Sequence, residues 1–279
     1  MSSRDAPLKP GNRAANTAPT AAHIPSEQPT SAEPDSTPLQ RFCAELLGTF
    51  LLVLFHGGAA ASLKVIQRGP DTTVPGLVFV ALADGFSLFI IIMIIGKVSG
   101  VLINPAVTFA LAVRGRFAWH DVPYYLVAQF AGASLGAAVI LAALGRDALA
   151  IGRLGAVQLA PGVDIWQGIL VEALGTFFLV LTISATAEDP RSPSGWAAFT
   201  IGMALAAIVL VFAPVTGAPV NPARAFGPNL ADALLGLPVN WAIYVGCYLL
   251  GPLVGATGAS ILYRYLANQP PAKPAAEPD

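Results

Sequence analysis

Six apolar segments of 18 residues or more run through the chain, at 42–62, 74–95, 124–144, 165–187, 196–213 and 241–263. A helix needs about 20 apolar residues to cross a ~30 Å hydrocarbon core, so each reads as a membrane span. Two further apolar runs, 104–113 and 221–230, hold only ten residues each. As helix that is about 15 Å, half a membrane. Both short runs open on the same tripeptide: Asn104, Pro105, Ala106 and Asn221, Pro222, Ala223.

Charge supports a bilayer reading. Only 11% of the residues are charged, against about 25% in a typical soluble domain. Twenty of the charged side chains are spread through residues 42–265, and the rest lie at the ends. A soluble enzyme and a disordered regulator are both excluded by this composition. The net charge is −1, with no Lys/Arg-rich block, so nucleic acid is not an expected partner. Cys43 and Cys247 sit in apolar runs without metal-ligand spacing, so neither a disulfide framework nor a metal site is expected. Residues 1–41 carry seven prolines and no aromatic residue. Such a segment cannot bury enough apolar surface to offset its ordering entropy, and a disordered tail is expected there and over 266–279.

The chain also repeats itself. Ala44-Glu45-Leu46-Leu47-Gly48-Thr49-Phe50 in the first span matches Val171-Glu172-Ala173-Leu174-Gly175-Thr176-Phe177 in the fourth. Gly132 and Gly136 in the third span match Gly251 and Gly255 in the sixth. The repeats cover 42–144 and 165–265. Three spans per repeat is an odd number, so the second copy enters from the opposite face, and the repeat is inverted. The two short helices then dip in from opposite sides. Asn is a preferred N-cap and Pro is favoured at the first helical turn, so each short helix begins at its Asn, near the midplane. Non-helical backbone at that depth is tolerated only inside protein or against a water-filled cavity, so a central cavity is expected. The fold class that follows is an all-α membrane protein of six transmembrane helices plus two re-entrant half-helices. Arg41, Lys97, Arg114, Arg116, Arg191 and Arg264 flank the side of the termini, and Lys64, Arg68, Arg146 and Arg153 the other. That bias favours cytoplasmic termini.

In these residues the chain resembles the aquaporin, or major intrinsic protein, family. The carriers are the Glu45 and Glu172 motifs, Ser99-Gly100 before Asn104-Pro105-Ala106-Val107-Thr108, Val220-Asn221-Pro222-Ala223-Arg224, Gln129, and Gly251-Pro252. The resemblance spans about residues 42–265. It implies a pore in each subunit of a homotetramer in the cell membrane, passing water and small neutral solutes, with no cofactor. It also implies a selectivity filter of Asp84, Val209, Ala218 and Arg224. The recurrence of Glu45 and Glu172 in both repeats favours loop anchoring by each. An ordinary helix-end role stays open for both glutamates.

The filter departs from the family's usual patterns. Water-selective members carry a Phe where this chain has Asp84 and a His where it has Val209. Glycerol-selective members carry filter aromatics, and an Asp where this chain has Ala225. Leu102 stands where a His is usual. The expectation is a wider, aquaglyceroporin-like constriction open to glycerol, urea or arsenite-type metalloid hydroxides. Asp84 is costly mid-span, so it either lines the pore or is hydrogen-bonded to a neighbouring helix. A pairing of Asp84 with Arg224 across the filter is expected. His56 is read as a helix-end histidine, with a pore role as the alternative. An enzyme is not expected, because no nucleophile, metal or paired-acid constellation is present. A proton-coupled small-solute transporter using Asp84 is the alternative function.

Overall fold

The computed structural model describes residues 36–69 and 73–267. Its helices are α1 (Pro38–Gln67), α2 (Val74–Ser99), α3 (Pro105–Val113), α4 (Val122–Leu144), α5 (Arg146–Ala150), α6 (Ile165–Thr186), α7 (Ala197–Thr216) and α8 (Pro222–Leu234). The last, α9, runs through Trp241–Leu266 and is π-helical over Tyr244–Leu250. Six of the nine are long and apolar enough to cross a membrane; α3, α5 and α8 are not. The side on which α1 begins is called the near side below, and the other the far side.

Local chemistry sets the helix starts. Thr37 caps α1 in a capping box with Gln40, Thr73 caps α2, and Asp164 caps α6 through the Trp166 and Gln167 amides. The capping box places the start of α1 at Pro38, ahead of the apolar run at Phe42. The remaining residues of the expected tails lie almost wholly outside the described ones. The short helices follow the same logic: Asn104 Oδ1 accepts from the Ala106 amide, and Asn221 Oδ1 from those of Ala223 and Arg224.

The two repeats interlock. α1 packs on α4 and α6 on α9, while α2 and α7 meet between them. Each half-helix crosses over, α3 lying against α9 and α8 against α4. Gly132 sets the α1–α4 approach: a Cβ there would fall on the Leu46 carbonyl oxygen. Gly255 does the same for α9 against the Ala173 carbonyl of α6. Small residues of this kind let helix backbones close up where no hydrophobic effect drives them together.

Outward faces are apolar. Phe79, Ile90, Met93, Val127, Leu170, Val211 and Val254 are all exposed. In water so many exposed large side chains would be a liability; in lipid they match the solvent. Charged groups at the outer ends of the half-helices are paired. Arg114, capping the end of α3, reaches Ser184 of α6 at 2.8 Å and Glu188, just beyond α6, at 2.7 Å. Arg153, in the segment joining the repeats, reaches Asp232 of α8 at 2.8 Å. That contact helps explain why α8 continues to Leu234, past the expected Leu230.

Candidate pore

The two half-helices meet N-terminus to N-terminus. Asn104 Nδ2 donates to the Val220 carbonyl and Asn221 Nδ2 to the Ile103 carbonyl, each at 2.9 Å. Each amide therefore caps its own helix with its oxygen and ties the opposite loop with one N–H. An amide carries two N–H donors, so one remains on each Asn. Both asparagines line a cavity of about 300 Å³ that opens on the near side between Arg116, Phe117, Ala187 and Glu188. Positive helix ends and two amide donors thus face the inner end of a mainly apolar tunnel. Such an end attracts a hydroxyl or carbonyl oxygen and repels a cation.

The loops that carry the asparagines are strained in matching places. Val101 and Ile103 have φ of 53° and 36°, and Ala218 and Val220 have 43° and 40°. Residues with a Cβ reach this left-handed region only at a cost of order 1–3 kcal/mol each. Here the twist turns the Ile103 and Val220 carbonyls toward the opposite Asn. Two buried carboxyl groups hold it. Glu45 accepts from Ser99 Oγ (2.7 Å), the Leu102 amide (2.9 Å), the Ile103 amide (2.6 Å) and Gln129 Nε2 (2.8 Å). Glu172 accepts from Thr216 Oγ1 (2.6 Å) and the Val220 amide (3.0 Å). Tyr125 and Tyr248 complete the pattern, donating to the Ser99 and Thr216 carbonyls.

Beyond the asparagines, toward the far side, lie Asp84, Val209, Ala218 and Arg224. All four are buried, and none lines either this cavity or a second one of about 590 Å³ on the far side. Arg224 Nη1 donates to the Gly155 carbonyl at 2.7 Å. The expected pairing of Asp84 with Arg224 is not a direct ion pair; the two charges act on each other only at longer range. The close ionic neighbour of Asp84 is His56, with Nε2 to Oδ2 at 2.6 Å. The reason is geometric: α1 and α2 pack directly, whereas the Arg224 head is drawn to the segment joining the repeats. His56, read from sequence as a helix-end residue, lies instead inside the molecule and lines the 300 Å³ cavity. The signal that could have found it is the isolation of Asp84, a mid-span acid with no designated partner on α1.

Comparison with known proteins agrees with this architecture. The family profile described as "Major intrinsic protein" matches residues 33–263. The chain is 42% identical over 242 residues to the "Probable aquaporin AqpM" of Archaeoglobus fulgidus, covering 82% of this chain and 98% of that one. It is 39% identical to the aquaporin AqpM of Methanothermobacter thermautotrophicus, with the same coverage. The crystal structure of the aquaglyceroporin from Plasmodium falciparum shares the fold, with a TM-score of 0.72 at 22% identity, over 83% of this chain and 97% of that one. With two Asn-capped half-helices tied at the head of a tunnel and a profile match across most of its length, the chain belongs to the major intrinsic protein family of membrane channels.

Proposed function

We propose that this passive channel selects small uncharged solutes, glycerol, urea and arsenous acid among them, and passes water as well. The observation that carries the reading is the pair of asparagine amides lining the near-side cavity. They offer donors to an oxygen-bearing neutral solute while two positive helix ends disfavour cations. Family membership favours this over a proton-coupled transporter.

The narrow part is the ring of Asp84, Val209, Ala218 and Arg224. Glu45 and Glu172 act as anchors that keep the two loops in place. The assembly is a homotetramer in the cell membrane with both termini cytoplasmic; the basic flanks of the near side and family resemblance support this.

The test is a panel of permeabilities in proteoliposomes, read by stopped-flow light scattering with water, glycerol, urea and arsenous acid. Solute permeabilities well above those of protein-free vesicles are expected. Val209→His adds a ring at the constriction, so it should depress glycerol flux more than water flux. Equal loss of both, or no loss, would place Val209 away from the constriction.

A further inference from the structure

His56, Asp84 and Val209 occupy one level of the molecule. Leu52, Leu88 and Leu205 line the near-side cavity, and each of the three lies four residues farther out on the same helix: His56 on α1, Asp84 on α2, Val209 on α7. Four residues is one turn of helix, so the three stand about 6 Å beyond the leucines. Val209 brings no ring to that level. His56 brings one, from a different helix.

The polar groups at this level are conspicuously unsatisfied. Both Asp84 carboxyl oxygens, His56 Nδ1 and Arg224 Nε are buried without a hydrogen-bond partner among the described residues. The 2.6 Å contact of His56 Nε2 with Asp84 Oδ2 is close but poorly directed for a hydrogen bond. Buried polar groups are nearly always partnered, and four orphaned atoms at one depth mark a place where something polar is received. His56 is the member of the set that reaches the cavity wall, whereas Asp84 stands behind it. Arg224 is held to the same region through Gly155, which packs on Gly57, the neighbour of His56.

We propose that His56 is a specificity-determining residue of this channel and that Asp84 is the residue that positions its ring. The inference rests on the channel reading above. The solute class is a neutral molecule that both donates and accepts hydrogen bonds, a short polyol or an amide. The neutral imidazole carries one donor and one acceptor nitrogen, so it meets either kind of group on the solute, while Asp84 acts on the ring from behind. A ring held by a carboxylate also sets the size limit. It admits a three-carbon polyol and turns away a four-carbon one.

The experiment uses the full chain in proteoliposomes and compares water, glycerol and erythritol permeabilities, expressed as ratios so that protein yield cancels. In His56→Ala the erythritol-to-water ratio should rise about tenfold, the scale on which small changes of fit discriminate substrates. His56→Gln, which keeps a polar end, should fall between wild type and alanine, and it decides the matter if the alanine variant does not fold. Asp84→Asn frees the ring and should shift the ratio in the same direction. The double variant should go no further than His56→Ala alone, because Asp84 acts through His56. Ratios unmoved in His56→Ala, or in His56→Gln where only that folds, overturn the inference. A double variant that shifts well beyond His56→Ala overturns the positioning role. Wild-type vesicles no more permeable than protein-free ones would instead overturn the channel reading, so the two failures are told apart.

Discussion

Glu45→Ala is expected to remove both the stability and the conductance of the channel. Its side chain accepts from the Leu102 and Ile103 amides, from Ser99 and from Gln129. Deleting it leaves two buried backbone N–H groups without partners, at about 1–3 kcal/mol each. It also releases Ile103 from its left-handed conformation, and the Ile103 carbonyl is what Asn221 holds. The damage therefore spreads from one repeat to the tip of the other. Glu172→Ala should be milder, because Glu172 accepts from one backbone amide and one hydroxyl. Glu45→Gln, which keeps one acceptor oxygen, should lie between Glu45→Ala and wild type. Thermal unfolding in detergent checks the order. A Glu45→Ala protein that melts with the wild type and conducts as well would show that the carboxylate holds nothing.

The second large effect concerns helix approach. Gly132→Val and Gly255→Val each place a side chain on a backbone carbonyl of the facing helix, that of Leu46 and that of Ala173. Overpacking usually costs about 1–3 kcal/mol because flexible side chains give way. Here the obstacle is main chain inside a hydrogen-bonded helix, so the two helices must separate and the cost should lie above that range. Neither variant should yield folded, conducting protein. Gly258→Ala is the control on α9: its Cβ would meet only the Phe177 ring, at 3.8 Å, and wild-type behaviour is expected. Gel filtration of solubilised protein together with vesicle flux separates these outcomes. Folded Gly255→Val would mean that α6 and α9 are not in close contact.

These two cases show what the sequence could convey. The repeated Glu and Gly positions stand out because two copies of one pattern lie in a single chain. Their partners do not: Ser99 is 54 residues from Glu45, and no periodicity ties them. Span lengths follow from bilayer thickness, so the six long helices were readable to within a few residues. The exceptions have local causes. Thr37 and Gln40 start α1 in a stretch that reads as tail, and Arg153 supports α8 through Asp232 beyond the apolar run. The π-helical stretch at Tyr244–Leu250 has no signal in hydropathy, since an extra residue per turn leaves an all-apolar pattern unchanged.

At the pore, Asn104 and Asn221 were legible as helix caps because capping is local chemistry. That each also ties the opposite loop is a property of the packed pair. The contact of Asp84 with His56 is hidden from the sequence for the same reason. The charge and depth of Asp84 identified a polar position, but pairing with His56 depends on how α1 and α2 are rotated against each other. One His in an apolar span gives no such information.

The central claim is that solutes cross passively at the point where the two half-helices meet. Glycerol flux in proteoliposomes, measured with and without an imposed proton gradient for wild type and for Asn221→Ala, tests it most directly. Asn221→Ala removes the acceptor of the Ala223 and Arg224 amides and the tie to Ile103. Loss of such a cap costs about 0.5–2 kcal/mol, so inserted protein should still be recovered. Wild-type flux should be the same with and without the gradient, and inserted Asn221→Ala should show a several-fold loss. Wild-type flux that appears only under a proton gradient, or Asn221→Ala flux equal to wild type, would contradict the claim.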